Sequence, residues 1–408
     1  MAMPSEGKSP IRVAFYEPYP MGLGGNFVTQ RLILERLDRR RFHPIVVAPM
    51  EGAALGRFRE MGVECVVMPP PGVLGRYGGA ALRTSAAGRL KAAFDLALYN
   101  FRLARFLHDR DIDVVYGNCV RAQLCVGLGA RLARVPSLLY IKGELANPVI
   151  DRLCFILASR ILFFCPQNRD DRYPRLVRWF RRKISILRIG LDPATIAEIE
   201  RRDHSGLRRE LDIDPDCCNA VVLAQLYRPK GQHFAIEALA KLVGEYPRLR
   251  LYLLGDHVLE EYGPYRAELE ALIERYGLTR HVRFAGWRRD ALEVASLMDI
   301  VIHPSLAEGF GRAVLESMAM GKPVIASAVG GLREAIQDAR NGFLVPRGDV
   351  EAIARRWREL AADPELRERL GREARRAVFA DYLIDDKVAR LAEIWAEMAA
   401  GRNRTCAA

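Results

Sequence analysis

The chain has 408 residues, of which half are hydrophobic and 27% are charged, so it is a folded globular protein and not an intrinsically disordered one. This length predicts two domains rather than a single core. The net charge of +12 belongs to the first half, because residues 1–192 hold 30 lysines and arginines against 16 acidic residues, whereas the remainder holds 32 against 34.

Strand and helix patterns alternate through the first half. Apolar runs predict strands at residues 11–16, 44–49, 64–68, 114–116, 137–141 and 161–164. After the first strand, a loop containing Gly24 and Gly25 leads into a predicted helix at residues 27–37. A glycine loop between strand and helix is typical of nucleotide-binding units, but the full dinucleotide pattern is missing. A tight turn that needs glycine's backbone freedom explains the loop equally well.

Two basic clusters in this half also contain apolar and aromatic residues. One spans residues 76–110 and includes Phe94 and Phe101, and the other spans residues 169–183 and includes Trp179. Basic helices with an apolar face suit an anionic membrane surface, while the alternative is a solvated arginine-rich face. No nucleic-acid-binding motif is present, so nucleic acid is not an expected partner.

Targeting and metal-binding signals are sparse. Residues 1–10 lack the apolar run of a signal peptide, and the most apolar stretch, residues 153–164, is shorter than the ~20 residues that cross a bilayer. The expected location is the cytoplasm, with peripheral association at the inner face of the membrane. The eight cysteines and seven histidines form no zinc pattern. Asp212, Asp214 and Asp216 are predicted to form a solvated turn rather than a cation site.

A second α/β series follows a boundary near residues 184–193. Strands are predicted at residues 220–226, 250–255, 282–285, 299–302 and 342–345. Strands that alternate with helices favour parallel sheets covered on both faces. The predicted fold is therefore α/β, with two Rossmann-like domains that face each other across a cleft. The first domain spans residues 1–190 and the second spans residues 191–384, while a helix near residues 385–400 packs back on the first.

Residues 299–334 carry the most informative pattern, which is strand, loop, helix, strand and glycine loop. Glu308 lies in the loop, and Glu316 lies on the helix eight residues later. Both carboxylates are expected near the helix N-terminus, where unpaired amides attract anions. This stretch predicts a site for an anionic ligand that is rich in hydroxyl groups. His303, at the end of the strand, fits a catalytic role and a structural role equally well.

Arg228 and Lys230 supply cations at the same end of the predicted sheet. They follow the strand at residues 220–226 and precede a predicted helix at residues 234–243. A lysine and an arginine in this position can neutralise a leaving diphosphate without a metal. Alone they would indicate only solvated surface cations, but their position at the same sheet edge as Glu308 favours a binding site.

Taken together, these motifs closely resemble the donor site of retaining family 4 glycosyltransferases with the GT-B fold. The pattern is Glu308-Gly-Phe-Gly-x4-Glu316, with His303-Pro-Ser before it and Gly330-Gly-x2-Glu334 after it. The resemblance covers roughly residues 180–380. The glycine loop at Gly24 is a weaker N-terminal match.

The resemblance implies a role for each matching residue of the second domain. Glu308 would contact hydroxyl groups of the donor sugar, and Glu316 would bind the donor ribose. Lys230, with a nearby arginine, would bind the diphosphate. The sugar and phosphate would also be held by the backbone amides of three consecutive residues, which are Gly309, Phe310 and Gly311.

Other positions follow the family pattern less closely. Trp287 and Arg288 would lie against the nucleobase, and the loop with Gly24 and Gly25 would close over the donor. The family usually has arginine where this chain has Gln225, so Arg228 is expected to take over that contact with the donor. Asn118 follows the strand at residues 114–116 and would contact donor or acceptor.

The function implied by the resemblance is retaining transfer of a hexosyl unit from a nucleotide-diphosphate sugar. The acceptor would be a glycan, a lipid-linked compound or a small molecule, in cell-envelope or surface polysaccharide synthesis. No cofactor or metal is expected. The alternatives are another GT-B activity, such as a sugar-nucleotide epimerase or a phosphorylase, and a non-catalytic subunit that binds sugar nucleotides or membrane surfaces.

Overall fold

The computed structural model describes residues 9–70, 85–142, 147–172, 174–256 and 263–406. The chain divides into two compact units. Unit 1 comprises Met1–Gly190 and Ile384–Ala408, and unit 2 comprises Leu191–Leu383. Residues 1–8, residues 76–84 of the first basic cluster and residue 173 of the second lie outside the described residues.

Unit 1 is built on a seven-stranded parallel sheet in the order β3-β2-β1-β4-β5-β6-β7. The five inner strands are short, mostly apolar runs that are largely buried on both faces, as expected in a parallel sheet, whereas the edge strands β3 and β7 are only partly buried. The strands are β1 (Ile11–Tyr16), β2 (Phe42–Ala48), β3 (Glu64–Val67), β4 (Val114–Gly117), β5 (Ser137–Ile141), β6 (Arg160–Phe163) and β7 (Ile184–Ile186).

Helices cover both faces of this sheet. They are α1 (Gly25–Arg36), α2 (Ala53–Glu60), α3 (Ala86–Asp109), α4 (Val120–Leu132), α5 (Pro148–Leu157), α6 (Pro166–Arg172), α7 (Pro174–Phe180) and α17 (Ile384–Cys406). Right-handed crossovers place α1 and α2 on one face and α3 to α7 on the other, because the chain reverses its direction across the sheet after β3. The last helix belongs to unit 1, where buried Trp395 packs edge-on against Phe15, Phe42 and Tyr116.

Unit 2 repeats the architecture with a six-stranded parallel sheet in the order β10-β9-β8-β11-β12-β13. Its strands are β8 (Cys218–Leu223), β9 (Leu249–Leu254), β10 (Val282–Gly286), β11 (Ile300–His303), β12 (Val324–Ser327) and β13 (Phe343–Val345). The predicted strand at residues 220–226 ends earlier than expected, because residues 224–227 turn toward the next helix.

The helices of unit 2 pack on this sheet. They are α8 (Pro193–Arg201), α9 (Ser205–Glu210), α10 (Gln232–Ala240), α11 (Gly263–Arg275), α12 (Ala291–Ser296), α13 (Arg312–Ala319), α14 (Leu332–Ala335), α15 (Val350–Ala362) and α16 (Pro364–Asp381). The core combines strand residues with α10, α11 and α15, and Trp357 is fully buried in it. No helix in the described part of the chain is both long enough and apolar enough to span a bilayer.

Candidate functional site

The candidate site of unit 2 lies at the carboxyl ends of β8 and β11. These strands are neighbours, and the chain proceeds outward from them in opposite directions across the sheet. Ligands of open α/β sheets bind at such a switch point, because the loops there diverge and leave a crevice. Lys230 follows β8 and Glu308 follows β11, so the fold brings the two predicted site residues to one place.

Backbone packing holds the two loops together. The amide of Leu306 donates a hydrogen bond to the carbonyl oxygen of Pro229 at 2.8 Å. Gly231 has a left-handed φ of 76°, and a Cβ atom there would lie 2.1 Å from the carbonyl oxygen of Pro304. Only glycine fits this contact, so the close approach of the β8 and β11 loops is encoded at Gly231.

The Glu308 carboxylate is the centre of the site. The ammonium of Lys230 lies 2.6 Å from Oε2 of Glu308, and Nε2 of His303 lies 2.9 Å from the same oxygen. Oε1 accepts from the amide of Gly309 at 3.1 Å. The side chain of Glu308 is 13% exposed and that of Lys230 is 25% exposed. Since a carboxylate only accepts, Nε2 of His303 must carry the proton that it donates.

These contacts keep Glu308 ionised. Burial alone would raise the pKa of its carboxyl, but the hydrogen bond and charge of His303, together with Lys230, lower the pKa to about 2. Glu308 is therefore an acceptor of hydrogen bonds at neutral pH and cannot serve as a general acid. Of the two interpretations of His303 left open by the sequence, the structure shows a buried residue that positions this carboxylate.

The loop after Glu308 leads into α13 and presents the predicted amides. Gly311 precedes the helix with a φ of 76°. The loop is fixed by the Gly330-Gly331 pair, since Gly331 donates to the carbonyl oxygen of Gly309 at 2.9 Å. A Cβ atom at Gly330 would lie only 2.1 Å from the Glu308 carbonyl oxygen. The ring of Phe310 is buried, so only the backbone of Phe310 is suited to contact a ligand.

Glu316 lies in the second turn of α13 and forms an ion pair with Arg312. Oε1 of Glu316 lies 2.9 Å from Nε of Arg312, and both side chains are mostly buried. Burial raises the pKa of the Glu316 carboxyl, while Arg312 lowers it to a smaller extent. The sequence interpretation missed Arg312, although its spacing of four residues from Glu316 was a signal for an ion pair along a helix.

Arg228 and Gln225 lie at the edge of the site. The guanidinium of Arg228 is exposed and forms an ion pair with Glu268 on α11, not with Glu308. Gln225 is exposed, and its carbonyl oxygen accepts from the side chain of Gln232 at 2.8 Å. Arg228 is thus close to Lys230 along the chain, but the two cations pair with different carboxylates, Glu268 and Glu308. No local pattern pointed to Glu268, which lies 40 residues further along the chain.

Trp287 and Arg288 follow edge strand β10. The Trp287 ring is exposed, while Arg288 is held at 2.7 Å by Asp290 and at 2.6 Å by Glu210. Hydrogen bonds to Asp290 and then to Glu210 raise the pKa of Arg288. Strands β9 and β8 separate β10 from β11, so the strands that Trp287 and Glu308 follow lie about 14 Å apart across the sheet.

In unit 1, Gly24 directly precedes α1 and Gly25 is its first residue. Gly24 has an ordinary φ of −75°, and neither glycine is among the residues with positive φ. A Cβ atom on either residue would meet nothing within 4 Å. The turn therefore does not require glycine, and the alternative interpretation of this loop as a tight turn that needs glycine's backbone freedom is wrong.

A second polar cluster lies at the switch point of the unit 1 sheet. Glu17, Asn118 and Lys142 directly follow β1, β4 and β5, which are adjacent strands. Burial raises the pKa of the Glu17 carboxyl. The pKa is lowered by a hydrogen bond from the backbone amide of Tyr19, by the charge of Lys142 and by the side chain of Asn118. The side-chain atoms Oδ1 and Nδ2 of buried Asn118 and Oε2 of Glu17 have no hydrogen bond of good geometry to the described residues. Only Asn118 was predicted, although its two neighbours also follow strands at the carboxyl edge.

The remaining candidates from the sequence form local structure. Asp214 accepts from the amide of Asp216 at 2.9 Å, and Asp212 pairs with Arg283 at 3.2 Å. Within the described ranges, no group of three or more His, Cys, Asp or Glu side chains is placed to hold a metal. Seven cysteines, from Cys65 to Cys218, are free thiols.

A family model matches a segment of unit 2. Residues 207–377 match the model of the family described as glycosyl transferases group 1. A putative glycosyltransferase, EpsD of Bacillus subtilis, is 36% identical over 188 residues, which are 46% of this chain and 48% of EpsD. The lipopolysaccharide core biosynthesis glycosyltransferase LpsE of Rhizobium meliloti is 36% identical over 40% of this chain and 45% of LpsE. The chain thus spans about half the length of these curated relatives.

Solved structures resemble the chain over its whole length. Anabaena HepE in complex with UDP and glucose is 22% identical with a TM-score of 0.77, over 95% of this chain and 99% of HepE. A glycosyltransferase from Rickettsia africae is 17% identical with a TM-score of 0.80, over 96% of this chain and 99% of that one. With its two parallel-sheet units, the chain has the GT-B fold, and the match of residues 207–377 supports a group 1 glycosyltransferase.

Proposed function

We propose that this chain is a retaining glycosyltransferase that moves a hexosyl unit from a nucleotide-diphosphate sugar to an acceptor. The observation that carries the proposal is the contact between Lys230 and Glu308 at the switch point of the unit 2 sheet. It joins a cation for a diphosphate to an ionised carboxylate for sugar hydroxyls. The group 1 match over residues 207–377 and the relatives EpsD and LpsE support the same activity.

Each part of the donor has a matching group. The diphosphate would accept from Lys230 and from the amides of residues 309–311, which directly precede α13, once the Gly309 amide leaves Oε1 of Glu308. The sugar hydroxyls would donate to Glu308, and the ribose hydroxyls to Glu316. The nucleobase would lie against the exposed ring of Trp287, which follows a strand about 14 Å across the sheet from β11. The solved structure of HepE contains UDP and glucose, which is consistent with a nucleotide-diphosphate sugar as the donor proposed for this chain.

The contact between Lys230 and Glu308 would change when the donor binds. A diphosphate competes with the carboxylate for the Lys230 ammonium, because phosphate oxygens are also strong acceptors. The Glu308 oxygen released from Lys230 would then accept from a sugar hydroxyl, while His303 continues to hold the carboxylate. Arg228 would reach the diphosphate only by leaving Glu268, so we assign the larger electrostatic role to Lys230.

The chemistry follows from the positive charge around the diphosphate. Lys230 and the α13 amides stabilise charge that develops on the leaving phosphate as its bond to the anomeric carbon breaks. The acceptor hydroxyl attacks from the same face, and its proton passes to the leaving phosphate, so the anomeric configuration is retained. No protein nucleophile is needed in this scheme.

We infer that the acceptor, a glycan, a lipid-linked compound or a small molecule, binds at the unit 1 cluster of Glu17, Asn118 and Lys142. Buried polar atoms such as those of Asn118, which have no hydrogen bond of good geometry to the described residues, are costly unless a ligand or water satisfies them. An acceptor with several hydroxyl groups would donate to Glu17 and bond both ends of the Asn118 amide. The names of LpsE and of a second lipopolysaccharide core biosynthesis glycosyltransferase of Rhizobium meliloti favour a role in cell-envelope or surface polysaccharide synthesis.

A nucleotide screen followed by product analysis tests this function. We expect one of UDP, GDP and ADP to raise the melting temperature of the intact chain, because a ligand that binds only the folded state stabilises it. The matching nucleotide sugar and an acceptor should then yield a glycosidic bond with retained configuration, observed by NMR. An epimerised sugar nucleotide, a sugar phosphate, or binding without turnover over a wide acceptor panel would contradict the assignment.

Substitution of Gly25 separates a role in ligand binding from a role in folding. We propose that Gly24 and Gly25 leave backbone amides uncovered for a ligand. Gly25→Ala should leave the melting temperature unchanged or slightly raised, since its Cβ atom meets nothing and alanine favours helices. We expect kcat/KM for the donor to fall about tenfold or more, because the methyl group excludes a ligand from close backbone approach.

Gly56→Ala on α2 is a matched control. A Cβ atom at Gly56 also meets nothing within 4 Å, but this glycine lies in the interior of α2 and not in the loop between β1 and α1. The control variant should retain full activity. Equal kinetics for Gly25→Ala and the unmodified chain would remove the glycine loop from the proposed binding site.

A further inference from the structure

Unit 1 exposes an apolar stripe along α3. Leu90, Phe94, Leu98 and Phe101 are 75%, 69%, 47% and 62% exposed. Their spacing of four, four and three residues places them within an arc of about 80° on the helix. The opposite side of α3 carries its own apolar residues, which are buried against the sheet. The exposed stripe is therefore additional to what the fold of unit 1 needs.

A second set of exposed apolar residues lies on α5 and α7. Val149, Leu153 and Ile156 follow one another along one side of α5, and all three are exposed. Trp179 on α7 is 62% exposed. The guanidinium of Arg152 lies 5.3 Å from the centre of the Trp179 ring, so a cation–π contact joins the two helices.

These helices belong to one layer of unit 1. Helix α3 packs on α4, α4 packs on α5, and α5 packs on α7, on the same face of the sheet. Close packing is possible because α4 has small residues at both contacts. A Cβ atom at Gly129 would lie 2.8 Å from the Asn100 carbonyl oxygen, and one at Gly127 would lie 3.1 Å from Cβ of Leu157. We call the exposed surface of α3, α5 and α7 the α3–α5–α7 face.

The same face is strongly cationic. Residues 174–183 contain five arginines and lysines and no acidic residue. Four of these cations are exposed, namely Arg175, Arg178, Arg181 and Arg182. Lys91 and Arg102 are also exposed and lie beside the apolar stripe of α3. Apolar side chains flanked by cations are the combination that binds the headgroup region of anionic membranes.

We propose that the α3–α5–α7 face binds the surface of an anionic lipid bilayer. The exposed phenylalanine, leucine and tryptophan side chains enter the boundary between headgroups and acyl chains, while the arginines bind lipid phosphates. A second copy of the chain is a poorer partner, because a twofold contact through this face would bring two cationic segments together. The proposal does not depend on the proposed transferase activity, since it concerns residues outside both candidate ligand sites.

Vesicle cosedimentation of the intact chain tests the proposal. We expect binding to phosphatidylcholine vesicles that contain about a third phosphatidylglycerol, and weak binding to phosphatidylcholine alone. Raising the salt concentration to about 0.5 M should weaken the binding, because surface charges are then screened. The paired variant Phe94→Ser and Phe101→Ser should partition about tenfold more weakly, since it loses two large apolar side chains. Serine and phenylalanine have similar helix propensities, so α3 should persist.

Matched charge variants separate a local site from net charge. Arg175→Gln with Arg178→Gln should weaken binding about tenfold or more. Arg372→Gln with Arg376→Gln removes two exposed cations of α16 in unit 2 and should leave binding unchanged. Equal losses in both charge pairs would overturn the proposal, and so would unchanged binding of the phenylalanine variant. Dimers that dissociate in that variant, detected by analytical ultracentrifugation, would identify a second copy as the partner and also overturn it.

Discussion

Replacing Lys230 with alanine is expected to lower the rate of glycosyl transfer about a thousandfold. Removing one preorganised donor from a charged leaving group typically costs a factor of 10² to 10³. The loss should be at the upper end here, because the other nearby cation, Arg228, is held by Glu268. Initial rates at saturating donor concentration, measured by release of the nucleoside diphosphate, check the prediction.

The fold should survive this substitution. Glu308 keeps the hydrogen bonds from His303 and from the Gly309 amide, so its carboxylate is not left without partners. Lys241→Ala is a matched control, because Lys241 forms a comparable 2.7 Å ion pair with Glu351 on the surface of unit 2. Normal turnover is expected for this control. Near-normal turnover of Lys230→Ala would show that the diphosphate is bound elsewhere.

The fold class could be predicted because its signals are local. The strands β1 and β5 are mainly apolar runs that end at polar or glycine-containing loops, and the structure shows them at the predicted residues. Repetition of such runs between helical patterns predicts parallel sheets, and the GT-B architecture is confirmed. Strand ends were less predictable. The apolar pattern of β8 continues to Leu226, but the strand ends at Leu223, because the backbone turns there.

The candidate site was predictable only in part, because contacts depend on strand order. The sequence placed Lys230 and Glu308 at carboxyl ends of strands, but 78 residues separate them. Their 2.6 Å contact arises because β11 returns to lie beside β8, and a local pattern does not show this. The same limitation concealed the pairing of Arg228 with Glu268 on α11. Glu17 and Lys142 lack a motif of their own and become candidates only through their neighbours in the sheet.

The second large effect is expected for Glu308→Gln, which tests the ionised carboxylate. Glutamine has nearly the same shape, but its NH₂ group cannot accept from His303, Lys230 or a sugar hydroxyl. We expect kcat to fall about a hundredfold or more, while KM for the donor changes less. The reason is that the contact between the carboxylate and the sugar is expected to be strongest in the transition state of transfer. Glu351→Gln on the surface is the matched control and should remain fully active.

The same variant should also change the response of stability to acid. The pKa of Glu308 is lowered from 4.5 to about 2 in the folded chain, so its ionisation stabilises the fold above pH 4.5 and this stabilisation is lost as pH falls toward 2. The whole contribution is on the order of 3 kcal/mol, of which about 2 kcal/mol disappears between pH 6 and pH 3. Urea midpoints of the unmodified chain should therefore fall more steeply than those of Glu308→Gln over this range. Parallel curves would show that Lys230 and His303 do not stabilise the ionised Glu308 carboxylate in the folded chain, and the assignment of Glu308 as an ionised acceptor for sugar hydroxyls would have to be abandoned.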